Sequence, residues 1–292
     1  MARRKLTEHE KMKRNSSRNM EVFKRDDMIQ KARYRLSVQE QRCVLYAISK
    51  IKPEDTAFSE YSFELNDFYA MCGLQNESYT ELKEILRALK SKSWWVEIDD
   101  QGTESAVSWF NVVRSNKRSG KVTIKFHEDM MPFLLDLAKQ NTFYTSYNLK
   151  YILPMNSQYS PRLYELLKSY QKNQSQWFFD IDDLKYHLDC QNYKNFADFS
   201  RFVLEPAVEE INRYTDLAIG YDLQRKGRKV VRVVFFLDEK TPLELDTAER
   251  EIETQLDGQI DILAEVRENI GSAKTEFAKQ RAAAYKKQRE QG

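Results

Sequence analysis

Behind Ser37, apolar residues recur at intervals of three and four. Val38, Val44, Leu45, Ile48 and Ile51 share one side of a helix predicted over about 37–51. Ser37 and Glu40 form an S-x-x-E capping box at its start, and Pro53 lies just past its end. Residues 61–65 alternate as a short strand does. Asn66 is placed to cap a short helix to Met71, with Gly73 as its stop. A second helix is predicted at about 78–91, with Leu82, Ile85, Leu86 and Leu89 on one side. Residues 94–98 and 105–114 read as strands. Residues 115–120 form a basic turn, and 122–126 return with clean alternation.

The second half repeats this order. A helix is predicted from Ser160 to Tyr170 with Pro161 in its first turn, then a strand at 176–181 and a short helix from Asp182 to Leu188. A longer helix runs from Phe196 to Thr215, and strands at 217–224 and 230–237 flank the basic turn 225–229. In the longer helix, Phe199, Phe202, Val203, Ala207, Ile211 and Tyr214 fall on one broad face predicted as core, and Pro206 predicts a kink. Phe63, Leu65, Phe68 and Cys72 correspond, at one constant offset, to Phe179, Ile181, Leu184 and Leu188. The pattern is an internal duplication. The connection at 139–157 carries Tyr144, Tyr147 and Tyr151 and is expected to be packed.

Charge sharpens the picture. The chain has 292 residues and a net charge of +2, so it lacks a global basic footprint. Residues 1–35 hold 12 basic and 5 acidic residues, and 1–27 are predicted as a flexible basic arm. Residues 238–270 carry 11 acidic and 3 basic side chains, whereas 271–292 carry 2 and 6. In this tail Ile252, Leu256, Ile260, Leu263, Val266 and Ile270 recur at helical spacing. The tail is either a helix packed on the body or one that binds a partner or another copy.

Helix–strand–helix–helix followed by a two-stranded hairpin is the plan of a winged helix, so the expected fold class is α+β with two tandem winged-helix domains. A helix fits the major groove, and a basic hairpin tip suits phosphate. In the second module the exposed start of the long helix offers Tyr193, Lys194, Asn195, Asp198 and Arg201. Arg grips guanine bidentately, Asn grips adenine, and Lys and Tyr hold phosphate. The second wing adds Arg225, Lys226, Arg228 and Lys229. The first module offers Asn76, Tyr79, Thr80, Lys83 and Arg87 on its helix and Lys117, Arg118 and Lys121 at its wing. Glu77, Glu81 and Glu84 would repel phosphate there. For a basic turn or a polar helix start, the ordinary alternative is a solvated surface. The same feature at equivalent places in both modules argues for DNA.

Three segments carry a resemblance to a known family. They are Met28–Arg42; Ser157–Lys168, which contains S-x-Y-S-x-R-L-Y-E-L-L; and Tyr193–Asn212, with the Lys226-Gly-Arg228 wing behind it. Over roughly residues 20–237 the chain resembles the iteron-binding initiators of plasmid replication, proteins with two tandem winged-helix domains. The resemblance implies domains at 28–145 (dimerisation and DNA contacts) and 146–240 (major-groove recognition), between the arm at 1–27 and a charged helical tail at 241–292. It implies binding to repeated origin sites, opening of an adjacent AT-rich segment, and loading of the host replicative helicase together with the host initiator. It also implies a homodimer in equilibrium with monomer, the dimer repressing the protein's own promoter. A transcriptional repressor without initiation activity is the alternative. By position, Arg201 matches the family's base-contacting arginine, while Asn195 stands where a basic residue can occur and Ser200 departs from a more basic pattern. Arg33 and Arg35 are the arm residues assigned to DNA.

Other classes are disfavoured. The three histidines have neither HxH nor HxxxH spacing, the three cysteines are scattered, and no glycine-rich phosphate loop occurs. No cofactor, metal or enzymatic activity is expected, and a rolling-circle nickase lacks its paired histidines. The basic start is followed by no apolar stretch, and no run approaches the ~18 apolar residues of a membrane span. A cytoplasmic protein with no membrane partner is the expectation.

Overall fold

The computed structural model describes residues 16, 18–72, 79–97, 101–139 and 143–257. Two compact units divide between Gln158 and Tyr159. The first contains β1 (Glu21–Arg25), α1 (Asp26–Lys31), β2 (Ala32–Arg33), α2 (Val38–Ile48), β3 (Tyr61–Glu64), α3 (Leu65–Met71) and α4 (Tyr79–Ser91). It continues with β4 (Ser93–Glu97), β5 (Glu104–Ser108), β6 (Phe110–Asn116), β7 (Lys121–Phe126), α5 (Met131–Leu134) and β8 (Tyr144–Asn148). The second contains α6 (Ser160–Gln171), β9 (Gln176–Asp180), α7 (Ile181–His187), α8 (Phe196–Phe199), α9 (Glu205–Tyr214), β10 (Leu217–Lys226), β11 (Lys229–Glu239) and α10 (Pro242–Asp257).

Both units are winged helices of one topology. Their wing sheets are ordered β3-β7-β6 and β9-β11-β10, antiparallel throughout. The duplicated positions have equal roles. Phe63 and Phe179, Leu65 and Ile181, Phe68 and Leu184, and Cys72 and Leu188 are all buried. The first-strand side chains that point inward and the apolar side of the short helix together build the core under each wing.

The capping box forms as the sequence predicts. Glu40 N donates to Ser37 Oγ (3.3 Å) and Ser37 N to Glu40 Oε2 (2.8 Å). Glu40 is buried, and Lys92 Nζ reaches its Oε1 at 2.6 Å, tying α2 to the end of α4. The structure corrects several other expectations. The segment from Glu21 is not arm: β1 pairs with β8, Val22 opposite Tyr147, and Val22, Met28 and Ile29 are fully buried. A boundary after 145 would cut β8 in two, and its pairing with β1 places it in the first unit. The predicted strand 105–114 breaks at Trp109, and its two parts join different sheets. β5 joins β2 and β4, while β6 joins the wing. Trp109 is buried there against Trp94, with ring centroids 5.3 Å apart. The short helix starts at Leu65, leaving Asn66 inside it and exposed. Gly73 lies outside the described residues.

The predicted helix 196–215 is interrupted. A π-helical turn, Ser200–Leu204, separates α8 from α9, and the Glu205 N–H donates to Ser200 O. Pro206, which has no N–H to give, follows at once. The extra residue in the turn carries Phe202 off the core face, leaving it 50% exposed, while Phe199, Val203, Ala207 and Ile211 are fully buried. The predicted kink is thus a widened turn, and Phe202 is not core.

The first part of the tail packs on the body. Ala248, Ile252 and Leu256 of α10 are buried, and Glu251 pairs with Arg213 of α9. Ile260, Leu263, Val266 and Ile270 lie outside the described residues.

At the end of α7, burial lowers the His187 imidazole to about 4, with Arg162 as a second cause. The folded state therefore holds His187 neutral where the unfolded chain, near 6.5, takes up a proton. Stability contributed by this group is complete above about pH 6.5 and is lost as pH falls from there towards 4. We expect a loss of up to about 2 kcal/mol at pH 5 in urea unfolding. His187→Gln should flatten this pH dependence, and an unaltered slope would exclude His187 as its source.

Candidate nucleic-acid interface

In the second unit the long helix is aimed by its approach. Asp189 takes a positive φ of 49° and closes α7, and Cys190 N returns to Lys185 O at 2.9 Å. Lys185 is buried, with its Nζ 2.6 Å from Tyr193 O and 5.3 Å from the Phe199 ring centroid. The loop entering α8 is thereby held at both ends.

Asn195 caps α8. Its Oδ1 accepts from Asp198 N at 2.8 Å and its Nδ2 donates to Asp198 Oδ2 at 2.6 Å. Reading adenine with this amide, as the sequence suggests, would require giving up both bonds, so its first role is to start the helix. Asp198 is exposed and is the other half of that pair. Lys194, just before the Asn195 cap, and Arg201, in the π turn, are exposed, and the Arg201 guanidinium lies 5.1 Å over the Phe202 ring. Tyr193 is half-buried beside Tyr159 and Phe202, its ring centroid 6.4 and 6.3 Å from theirs. Ser200, where a more basic pattern was expected, is buried and donates to Glu205 Oε1 at 2.8 Å. The exposed surface therefore combines two cations, one engaged carboxylate and an aromatic ring.

The second wing is built to project. β11 pairs with β9 only over Arg232–Phe236, whereas β10 and β11 pair on to Lys226 opposite Lys229. The hairpin closes through Gly227, whose φ of 63° suits the first central position of a tight turn. Arg225, Lys226, Arg228 and Lys229 are all exposed at this tip.

The first unit carries a weaker version. The Tyr79 hydroxyl donates to Ser115 Oγ at 2.9 Å, so this ring ties α4 to the wing strand rather than standing open. Thr80, Lys83 and Arg87 are exposed, but Glu81 and Glu84 share that surface and Arg87 pairs with Glu84 at 3.5 Å. Asn76 and Glu77 lie outside the described residues. Lys117 and Arg118 are exposed at the wing tip, where Asn116 Oδ1 accepts from the Arg118 and Ser119 amides at 2.9 and 3.2 Å. Lys121 is exposed but sits opposite Glu64 across the β3–β7 pair. Arg33 lies in β2 opposite Trp95, half-buried, so it belongs to a sheet and not to an arm, and Arg35 is exposed two residues on. Sequence reasoning missed Phe202 as a surface residue, although Pro206 four positions later was the available signal.

Among the described residues no group of three or more His, Cys, Asp or Glu side chains is placed to hold a metal ion, and no helix is long and apolar enough to cross a membrane.

Residues 21–168 match the family model described as initiator replication protein, WH1, and residues 180–236 match that described as initiator Rep protein, WH2. The chain belongs to the initiator replication protein family. The first match begins where β1 begins, in keeping with the ordered start at Glu21. This initiator is 26% identical to a replication initiation protein of Escherichia coli over 261 residues, covering 85% of this chain and 73% of the relative. It is 28% identical to the PI protein of Escherichia coli over 131 residues, covering 40% and 43% of the two chains. A solved structure, Pi initiator protein in complex with iteron DNA, shares its fold with a TM-score of 0.64. That match is 21% identical and covers 77% of this initiator and 99% of the solved chain. The family is one of DNA-binding replication initiators.

Proposed function

We propose that this initiator starts plasmid replication by binding tandem repeated sites, iterons, at its origin. It then promotes opening of the adjacent DNA and assists loading of the host replicative helicase together with the host initiator. The second unit reads bases in the major groove through the start of the long helix. The first unit adds backbone contacts and the homodimer interface, and the dimer represses the protein's own promoter. The protein works in the cytoplasm. One observation carries this reading: the exposed start of the long helix, with Arg201 and Lys194, stands in the same winged-helix unit as a projecting wing tip with four cations. The fold shared with an initiator solved on iteron DNA supports it.

Two winged helices in successive major grooves would span about 20 bp. Footprinting of the full chain on DNA flanking its own gene, across a salt series, tests the reading. Protection of tandem repeats of about that length is expected. Protection of an inverted repeat alone at the promoter would instead point to a repressor without initiation activity.

Lys226→Ala tests the wing. It should weaken binding to every sequence alike and lower the slope of log K against log salt by about one. An unchanged slope would remove Lys226 from the phosphate contacts.

A further inference from the structure

We propose that Phe202 recognises the C5-methyl group of a thymine, adding apolar readout to the helix that carries Arg201; this rests on the DNA-reading role given to that helix. Phe202 is 50% exposed, whereas Phe199, Val203, Leu204 and Ala207 around it are fully buried and complete the core without it. Its exposure has a built cause. The π turn at Ser200–Leu204, seated directly before Pro206, rotates this one ring outward. Backbone departures of this kind concentrate at functional positions.

The ring is also held in place. Tyr193 lies at 6.3 Å on one side, tilted by 30°, and the Arg201 guanidinium lies 5.1 Å over it. A ring flanked in this way loses little rotamer freedom on binding. Its surroundings, Lys194, Asp198 and Arg201, are otherwise polar and exposed. Of the groups that ordinary base pairs present in the major groove, the thymine methyl is the apolar one. A large apolar side chain among ionic groups on a groove-facing helix therefore finds its complement at a thymine. The stacked Arg201 next to it is directed to a neighbouring base pair.

Deoxyuridine pairs as thymidine does and lacks only the methyl, which makes it a clean probe. Full-length protein would first select its preferred duplex from a random library. Each thymine of that duplex would then be replaced singly by deoxyuridine. Binding would be measured for the wild type, Phe202→Ala, Phe202→Leu and Arg201→Ala. At one thymine the wild type should lose about fourfold on methyl removal, the worth of one buried methyl-sized group. Phe202→Ala should bind the thymine and deoxyuridine duplexes equally there, while Phe202→Leu and Arg201→Ala keep part or all of the discrimination.

A wild type indifferent to every replacement would overturn the inference. So would a Phe202→Ala protein that discriminates as the wild type does, or one that only weakens all duplexes alike. In each of these cases the DNA-reading role stands. Failure of the wild type to enrich any duplex would instead remove that role, and this inference with it. Thermal unfolding of the variants checks that the exposed position leaves the fold intact; if Phe202→Ala is destabilised, Phe202→Gln, which keeps bulk without the apolar contact and should bind the thymine and deoxyuridine duplexes equally, carries the test.

Discussion

Arg201→Ala should weaken binding to the protein's own site by about 1–3 kcal/mol, roughly one to two orders of magnitude, and relax preference at one base pair. Arg201 is exposed on the long helix, and its guanidinium is stacked on Phe202. Among the described residues no carboxylate pairs with it, so the bidentate fork is free to meet a guanine edge. Such a contact is stronger for the correct base than for the others, so its loss falls mainly on the preferred duplex. Arg201→Lys should not restore the preference, because a point charge lacks the planar fork. Competition between the selected duplex and single-base variants measures the effect. Equal weakening on all sequences would place Arg201 on phosphate and leave base reading to other side chains.

Trp94→Ala should cost the first unit about 3–5 kcal/mol, the range for truncating a fully buried aromatic side chain. Trp94 is 2% exposed and Trp109 1% exposed. The Trp94 ring lies 5.3 Å from that of Trp109 and 5.9 Å from those of Tyr34 and Phe133. This cluster sits where the β4–β5 hairpin, the end of β2 and α5 meet, and a close-packed interior of this kind collapses only partly on a cavity. Urea unfolding followed by far-ultraviolet circular dichroism, with proteolysis to separate the two units, gives the number. A change below about 1 kcal/mol would mean that the hairpin is an appendage and not part of the core.

Much of the fold was legible because it is set by contacts within a few residues. The capping box needs only Ser37 and Glu40, and it forms. The turn of the second wing needs a residue at ease with positive φ, and Gly227 supplies it. Each winged helix announces itself through a strand with an inward phenylalanine, followed by a helix that opens on leucine or isoleucine and has one apolar side. The repetition of that pattern made the duplication visible before any pairing was known. Of the candidate interface, the basic wing tips and the exposed Lys194 and Arg201 could be read the same way, since turn position and helical spacing are enough to place them.

What the sequence by itself determined, then, is the pair of winged helices, the capping box at Ser37 and Glu40, the wing turns, and the charge at each wing tip. Only the tertiary structure decided which distant segments join them. β1 finds β8 across more than a hundred residues because each covers apolar surface that the other leaves open, and nothing near Val22 signals Tyr147. Trp94 and Trp109 read as residues of a continuing sheet, yet they pack together and divide two sheets. Tyr79 and Asn195 carry groups suited to DNA, but a hydroxyl on Ser115 and an amide on Asp198 lie closer and engage them. Phe202 has the spacing of a core residue, and the π turn before Pro206 moves it to the surface. Periodicity reports the face a regular helix would bury. Where the backbone leaves that regularity, the packing of the whole unit chooses the face instead.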